Sequence, residues 1–113
     1  MNINFNEIPT ETLTALHGGA GDVVAKVYRG ELGTVMPCRL QPGASIGLHR
    51  HEGVEFCYVL YGAGKVICDG KEEPLFIDAC HICPAGSEHS IINTGEAELV
   101  LLQTEFASVG SAD

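Results

Sequence analysis

His49-Arg50-His51, Glu55 and His89 are the residues whose types and spacing point to chemistry in this chain. Imidazole nitrogens and a carboxylate oxygen are the donors that divalent first-row metals accept. In an extended strand, side chains at i and i+2 share a face about 6.6 Å apart along the chain, so His49 and His51 can grip one ion. On a helix the same pair would sit about 200° apart and could not. Glu55 follows a Gly53 break, where a hairpin could return its carboxylate over the two histidines. His89, far along the chain, could close such a site from an opposite wall. Four unrelated polar residues are the alternative, and a His-x-His pair alone does not decide between them.

Strands must therefore position these groups, and the text of the chain supplies them. From Val23 onward, short runs rich in Val, Ile, Leu, Phe and Tyr cover 23–28, 32–40, 45–51, 55–61, 65–68, 75–77, 80–83, 87–93 and 97–106. Turn residues separate them: Arg29-Gly30, Pro42-Gly43, Glu52-Gly53, Gly62-Ala63-Gly64, Asp69-Gly70, Ala85-Gly86 and Asn93-Thr94-Gly95. Asp69-Gly70 is the strongest hairpin signal, because a type I′ turn needs two residues tolerant of positive φ. Many short strands without helical periods indicate an antiparallel sandwich or barrel. Residues 1–22 read as a separate N-terminal segment, with one or two helical turns expected over 10–16, and residues 23–113 as one β domain.

The 113 residues carry 45% hydrophobic and 19% charged side chains, the balance of a small folded domain. Six basic against 15 acidic residues leave a net charge of −9, which argues against nucleic-acid and anionic-membrane partners. No run approaches the roughly 18 apolar residues of a membrane span, and residues 1–11 lack the features of a signal peptide. Five cysteines, Cys38, Cys57, Cys68, Cys80 and Cys83, are an odd number set in apolar runs, which suits a reducing compartment; a cytoplasmic protein is expected.

The spacing around the candidate donors is Gly43, five residues, His49, one, His51, three, Glu55, six, Gly62, and later Pro84, one, Gly86, two, His89, three, Asn93. These two stretches resemble the two signature motifs of the cupin superfamily, small single-domain cupins above all, with 15 residues between Gly62 and position 78. The second motif usually opens with Gly-Asp, where this chain has Asp78-Ala79; Asp tolerates positive φ and can serve the same turn. The resemblance implies an all-β double-stranded β-helix (jelly-roll) barrel, with a homodimer as the expected assembly. It also implies that His49, His51, Glu55 and His89 ligate one divalent transition metal ion, with Fe, Mn, Zn, Ni and Co all acceptable to such donors.

Strand parity places Gly47, Cys57, Val59, Tyr61 and Ile91 on the inner face with the donors. That lining is mostly apolar and suits a small, weakly charged ligand. The opposite face of the Glu55 strand carries Phe56, Tyr58 and Leu60 and also needs cover, by a second sheet or a dimer partner. Cys80-x-x-Cys83 lacks the helix N-terminus of a redox pair. His17 reads as a surface or turn residue, His81 as a structural histidine and Arg50 as half of a surface or interface ion pair. The function expected is metal-dependent chemistry on a small molecule, of dioxygenase, isomerase or lyase type. Non-catalytic capture or sensing of a small ligand is the alternative, and a metal that merely staples the barrel is a third reading.

Overall fold

The computed structural model describes residues 1–106. Residues 107–113, the end of the expected β domain, lie outside them. Eleven strands follow in order: β1 (Glu11–Thr14), β2 (Asp22–Ala25), β3 (Tyr28–Gly30), β4 (Gly33–Leu40), β5 (Ser45–Arg50), β6 (Val54–Tyr61), β7 (Gly64–Cys68), β8 (Lys71–Leu75), β9 (Cys80–Cys83), β10 (Glu88–Asn93) and β11 (Leu99–Phe106). A seven-stranded sheet runs β1-β2-β4-β11-β6-β9, with β3 also paired to β4; a four-stranded sheet runs β5-β10-β7-β8. All pairings are antiparallel. The two sheets pack face to face around Leu40, Ile46, Val59, Val66, Ile91 and Leu101, each at most 2% exposed. This is the jelly-roll barrel that the motifs imply.

Three local expectations change. Residues 11–14 are extended and not helical: Thr12 and Thr14 are β-branched, and the segment gains a full ladder to β2, from Glu11↔Ala25 to Thr14↔Asp22. The run 23–28 is interrupted at Lys26-Val27 and resumes on β4 in the same register; the gap lies opposite Pro37, which has no N–H to donate to the ladder. The run 75–77 is displaced to Lys71–Leu75, a charged segment whose residues 71–74 are exposed. It is a strand because the tight turn returns it along β7, with Cys68↔Lys71 as the first pair. As the edge of its sheet it carries charges and Pro74 where further pairing would be harmful.

That turn has the expected geometry, with φ of 49° at Asp69 and 81° at Gly70. Asp78 adopts φ of 71°, the conformation inferred for it in place of glycine. Asn93, in the second motif, is buried, and its Nδ2 donates to the carbonyls of Leu40 and Ala97 at 2.9 Å. It ties β10 to the end of β4, fixing the strand that carries His89.

Candidate metal centre

His49 lies on β5, His51 just after it, Glu55 on β6 and His89 on β10. Donor atoms of all four lie within 4.8 Å of one another. His89 does not come from an opposite wall: it is the direct cross-strand partner of His49. Glu55 is the one that reaches across from the seven-stranded sheet. His49 Nε2 lies 2.8 Å from His51 Nε2 and 3.1 Å from His89 Nε2. Glu55 Oε2 lies 2.5 Å from His51 Nε2, and Oε1 lies 3.0 Å from His89 Nε2. Glu55 and His89 are buried; His49 and His51 are partly exposed.

Hydrogen bonds outside the cluster assign the ring protons. His49 Nδ1 meets the Gly47 carbonyl at 2.6 Å, which only accepts, so the proton sits on Nδ1. His51 Nδ1 meets Glu105 Oε1 at 2.9 Å and is protonated for the same reason. His89 Nδ1 lies 3.1 Å from His81 Nε2, which accepts when the His81 proton is on its own Nδ1. Three Nε2 lone pairs and a carboxylate then converge with no donor among them. Glu55 Oε1 is, among the described residues, the buried side-chain oxygen left without a hydrogen-bond partner. Its contact with His89 Nε2 joins two acceptors in this proton arrangement. Such a set is costly when empty and satisfied by a cation, so the residues fit a divalent metal ion.

Without a cation, protons must compensate. Burial pushes His49 down to about 4, against the partial help of the Gly47 carbonyl. Burial also opposes ionisation of Glu55, but hydrogen bonds from the His51 and His89 rings outweigh it and hold the carboxyl at about 2. His51 is raised, chiefly by its hydrogen bond to Glu55 and further by Glu105. A metal ion thus replaces a proton shared between His51 and Glu55.

The cluster opens into a cavity of about 150 Å³, lined also by His17, Arg29, Thr34, Met36, Gln103 and Glu105. His17 is not a bystander. Its ring stacks on His49 at 4.2 Å and 14°, from a turn in which both Ala15 and His17 have φ of 52°. The turn is pressed onto β5: a Cβ at Gly47 would stand 2.1 Å from the His17 carbonyl oxygen. Sequence reasoning missed His17 because its approach is a contact between distant segments; only Gly47 opposite Gly18-Gly19 hinted at one. Glu105 was missed for the same reason.

Cys57, Val59 and Ile91 are fully buried, as parity implies. Tyr61 is not: it is 55% exposed, because a register shift against β11 between Val100 and Leu101 reverses parity at the end of β6. Arg50 points outward and pairs with Glu88. Cys80 and Cys83, three apart on a strand, face opposite sides, Cys80 exposed and Cys83 buried.

A two-sheet jelly roll with a three-histidine, one-carboxylate cluster between its sheets defines a metal-site barrel of the cupin type. The chain belongs to the cupin family: residues 37–105 match the family described as Cupin domain. It is 32% identical over 109 residues to the oxalate-binding protein of Thermotoga maritima, covering 90% of each. Its structure is similar to that of a predicted oxalate decarboxylase from Thermotoga maritima, with a TM-score of 0.87, 30% identity and coverage of 96% of this chain and 100% of that one. A cupin-superfamily sugar phosphate isomerase from Silicibacter pomeroyi shares the fold at a TM-score of 0.76, with 22% identity and coverage of 96% of this chain and 76% of that one. No helix among the described residues is long and apolar enough to cross a membrane.

Proposed function

We propose that this cupin holds one divalent transition metal through His49, His51, Glu55 and His89 and uses it to bind a small oxygen-chelating carboxylate, oxalate being the first candidate. The observation that carries this reading is the convergence of three imidazole Nε2 atoms on a buried carboxylate, one oxygen of which has no hydrogen-bond partner, beside a cavity of about 150 Å³. Four protein donors leave two positions of an octahedron, the number that a bidentate ligand fills. When bound, the ion supplies Lewis-acid polarisation of ligand oxygens. Glu105 and Gly47 hold the ring orientations, while Arg29 at the cavity places positive charge where an anion enters. The oxalate-binding relative in Thermotoga maritima supports the choice of ligand.

The test is calorimetric titration with oxalate, formate and succinate, using protein loaded in turn with Mn, Fe(II), Co, Ni and Zn. Oxalate is expected to bind at one per chain only when metal is present, and formate and succinate much more weakly. Oxalate binding that persists unchanged in EDTA overturns the proposal. Incubation of the complex with labelled oxalate then separates two readings by carbon NMR. Turnover makes the chain a metal-dependent enzyme, with His17 and Glu105 as the titratable groups at hand to move a proton. Persistence of oxalate makes it a binding or sensing module.

The protein is further proposed to work as a homodimer in the cytoplasm. Supporting the dimer, the outer face of the larger sheet is apolar: Leu60, Ile82 and Phe106 are each more than half exposed, beside Phe56, Tyr58 and Leu102. Supporting the compartment, all five cysteines are free thiols.

A further inference from the structure

Cys68, His81 and Cys83 form a second cluster whose ligand atoms lie within 4.8 Å of one another. His81 and Cys83 are i and i+2 on β9 and so turn to the same, inner face. Cys68 ends β7 in the other sheet, so the cluster bridges the two layers as the first site does. Cys83 is fully buried and His81 is 9% exposed, whereas Cys68 is half-buried. Among the described residues, the Cys83 thiol meets weak partners, the Pro84 and Ser87 carbonyls at 3.8 Å, and the Cys68 thiol beside it. A cavity beside His81, about 380 Å³ and lined by Val66, Glu73, Leu75 and Ala79, gives an approach that does not pass through the first site.

We propose that Cys68, His81 and Cys83 are a second metal site, selective for a thiophilic divalent ion such as Zn²⁺. Two thiolates and one neutral imidazole are soft donors, unlike the nitrogen and oxygen donors of the first cluster. Binding releases two thiol protons to solvent, and the two thiolate charges cancel those of the ion. The complex is therefore neutral, which suits a site where unbalanced charge is costly. A zinc ion bound by three protein ligands keeps a fourth tetrahedral position open to water.

The two sites are coupled through His81. Its Nε2 accepts the His89 Nδ1 proton when His89 turns Nε2 to the first site. If the second ion takes His81 Nε2, that acceptor is consumed. If it takes Nδ1, the proton moves to Nε2 and two donors face each other. Either way His89 loses its outer partner, so each ion weakens binding of the other. The site itself does not rest on the function proposed above; this antagonism does.

Cobalt(II) distinguishes the sites, because only a thiolate ligand gives an intense near-ultraviolet sulfur-to-cobalt charge-transfer band. Reduced, metal-free full-length protein is titrated with cobalt(II) without oxygen, alongside the H49A/H51A double variant. One saturable band is expected in both, appearing at lower cobalt concentration in the double variant, and Zn²⁺ should bleach it. C68S and C83S should each lose the band, and C80S should keep it. Absence of the band from both the wild type and the double variant overturns the proposal, as does a band that survives C68S and C83S. Should C83S fail to fold, C68S at the half-buried position and the unmodified chain still decide the matter.

Discussion

Removing the Glu105 carboxylate is expected to weaken metal binding without touching a proposed ligand. Glu105 Oε1 accepts from His51 Nδ1 at 2.9 Å and so keeps the His51 lone pair on Nε2, toward the cluster. In Glu105→Ala the ring can rotate or change tautomer. Loss of such an outer partner costs about 10–100-fold in affinity, or about 1.4–2.7 kcal/mol. The entropy of unfolding is about 2.1 cal/mol/K per residue, so 113 residues give roughly 0.24 kcal/mol/K, or about 4 °C per kcal/mol. At a fixed excess of metal, the melting temperature should therefore rise about 6–11 °C less in the variant than in the wild type. Glu105→Gln keeps an accepting oxygen at that place and should recover most of the difference. The assay is a thermal melt with EDTA and with metal, joined to calorimetric measurement of the dissociation constant. If Glu105→Ala binds metal within about threefold of wild type, the carboxylate does not govern the His51 tautomer and the outer-partner reasoning fails.

His49→Ala and His89→Ala should each fall well below one bound ion per chain by elemental analysis, whereas His17→Ala should keep its ion; full occupancy in the first two refutes the ligand set. Gly47→Ala places a Cβ 2.1 Å from the His17 carbonyl oxygen and 2.7 Å from Gly19 N. It should cost about 1–3 kcal/mol, and an unchanged melt would mean the turn moves freely off β5. Held at about 4 when folded against an ordinary 6.5, His49 takes a proton more readily in the unfolded chain. Metal-free protein should therefore lose stability as pH falls from about 6.5 toward 4.5, with burial-lowered His17 and His81 adding and raised His51 opposing. His49→Ala should flatten that slope, and a wild-type melt that rises over the same interval refutes the sign. Leu102→Arg, in the middle of the apolar outer face, should convert the proposed dimer to a monomer by light scattering, and a dimer that persists places the interface elsewhere.

How much of this was legible beforehand divides along a physical line. Period-two alternation and turn chemistry are local, so the strands of the barrel, the Asp69-Gly70 hairpin and the positive φ of Asp78 could all be read from the chain. The four candidate donors were legible for the same reason: His49 and His51 share a strand face, and the surrounding spacing matched a known family. Strand β8 was misplaced because it is polar and forms through the ladder that a turn offers it, not through burial of its own side chains. Tyr61 was turned the wrong way because a bulge against β11 is decided by the partner strand. Only the tertiary structure set His89 beside His49, hung His17 over the cluster and brought Glu105 to His51. It also separated Cys83 from Cys80 and joined it instead to Cys68 and His81. Each of those contacts spans segments that have no common period, and its geometry depends on how two sheets register against each other. The sequence by itself determines which faces turn inward and which donors they carry; which donors meet is decided when the sheets close.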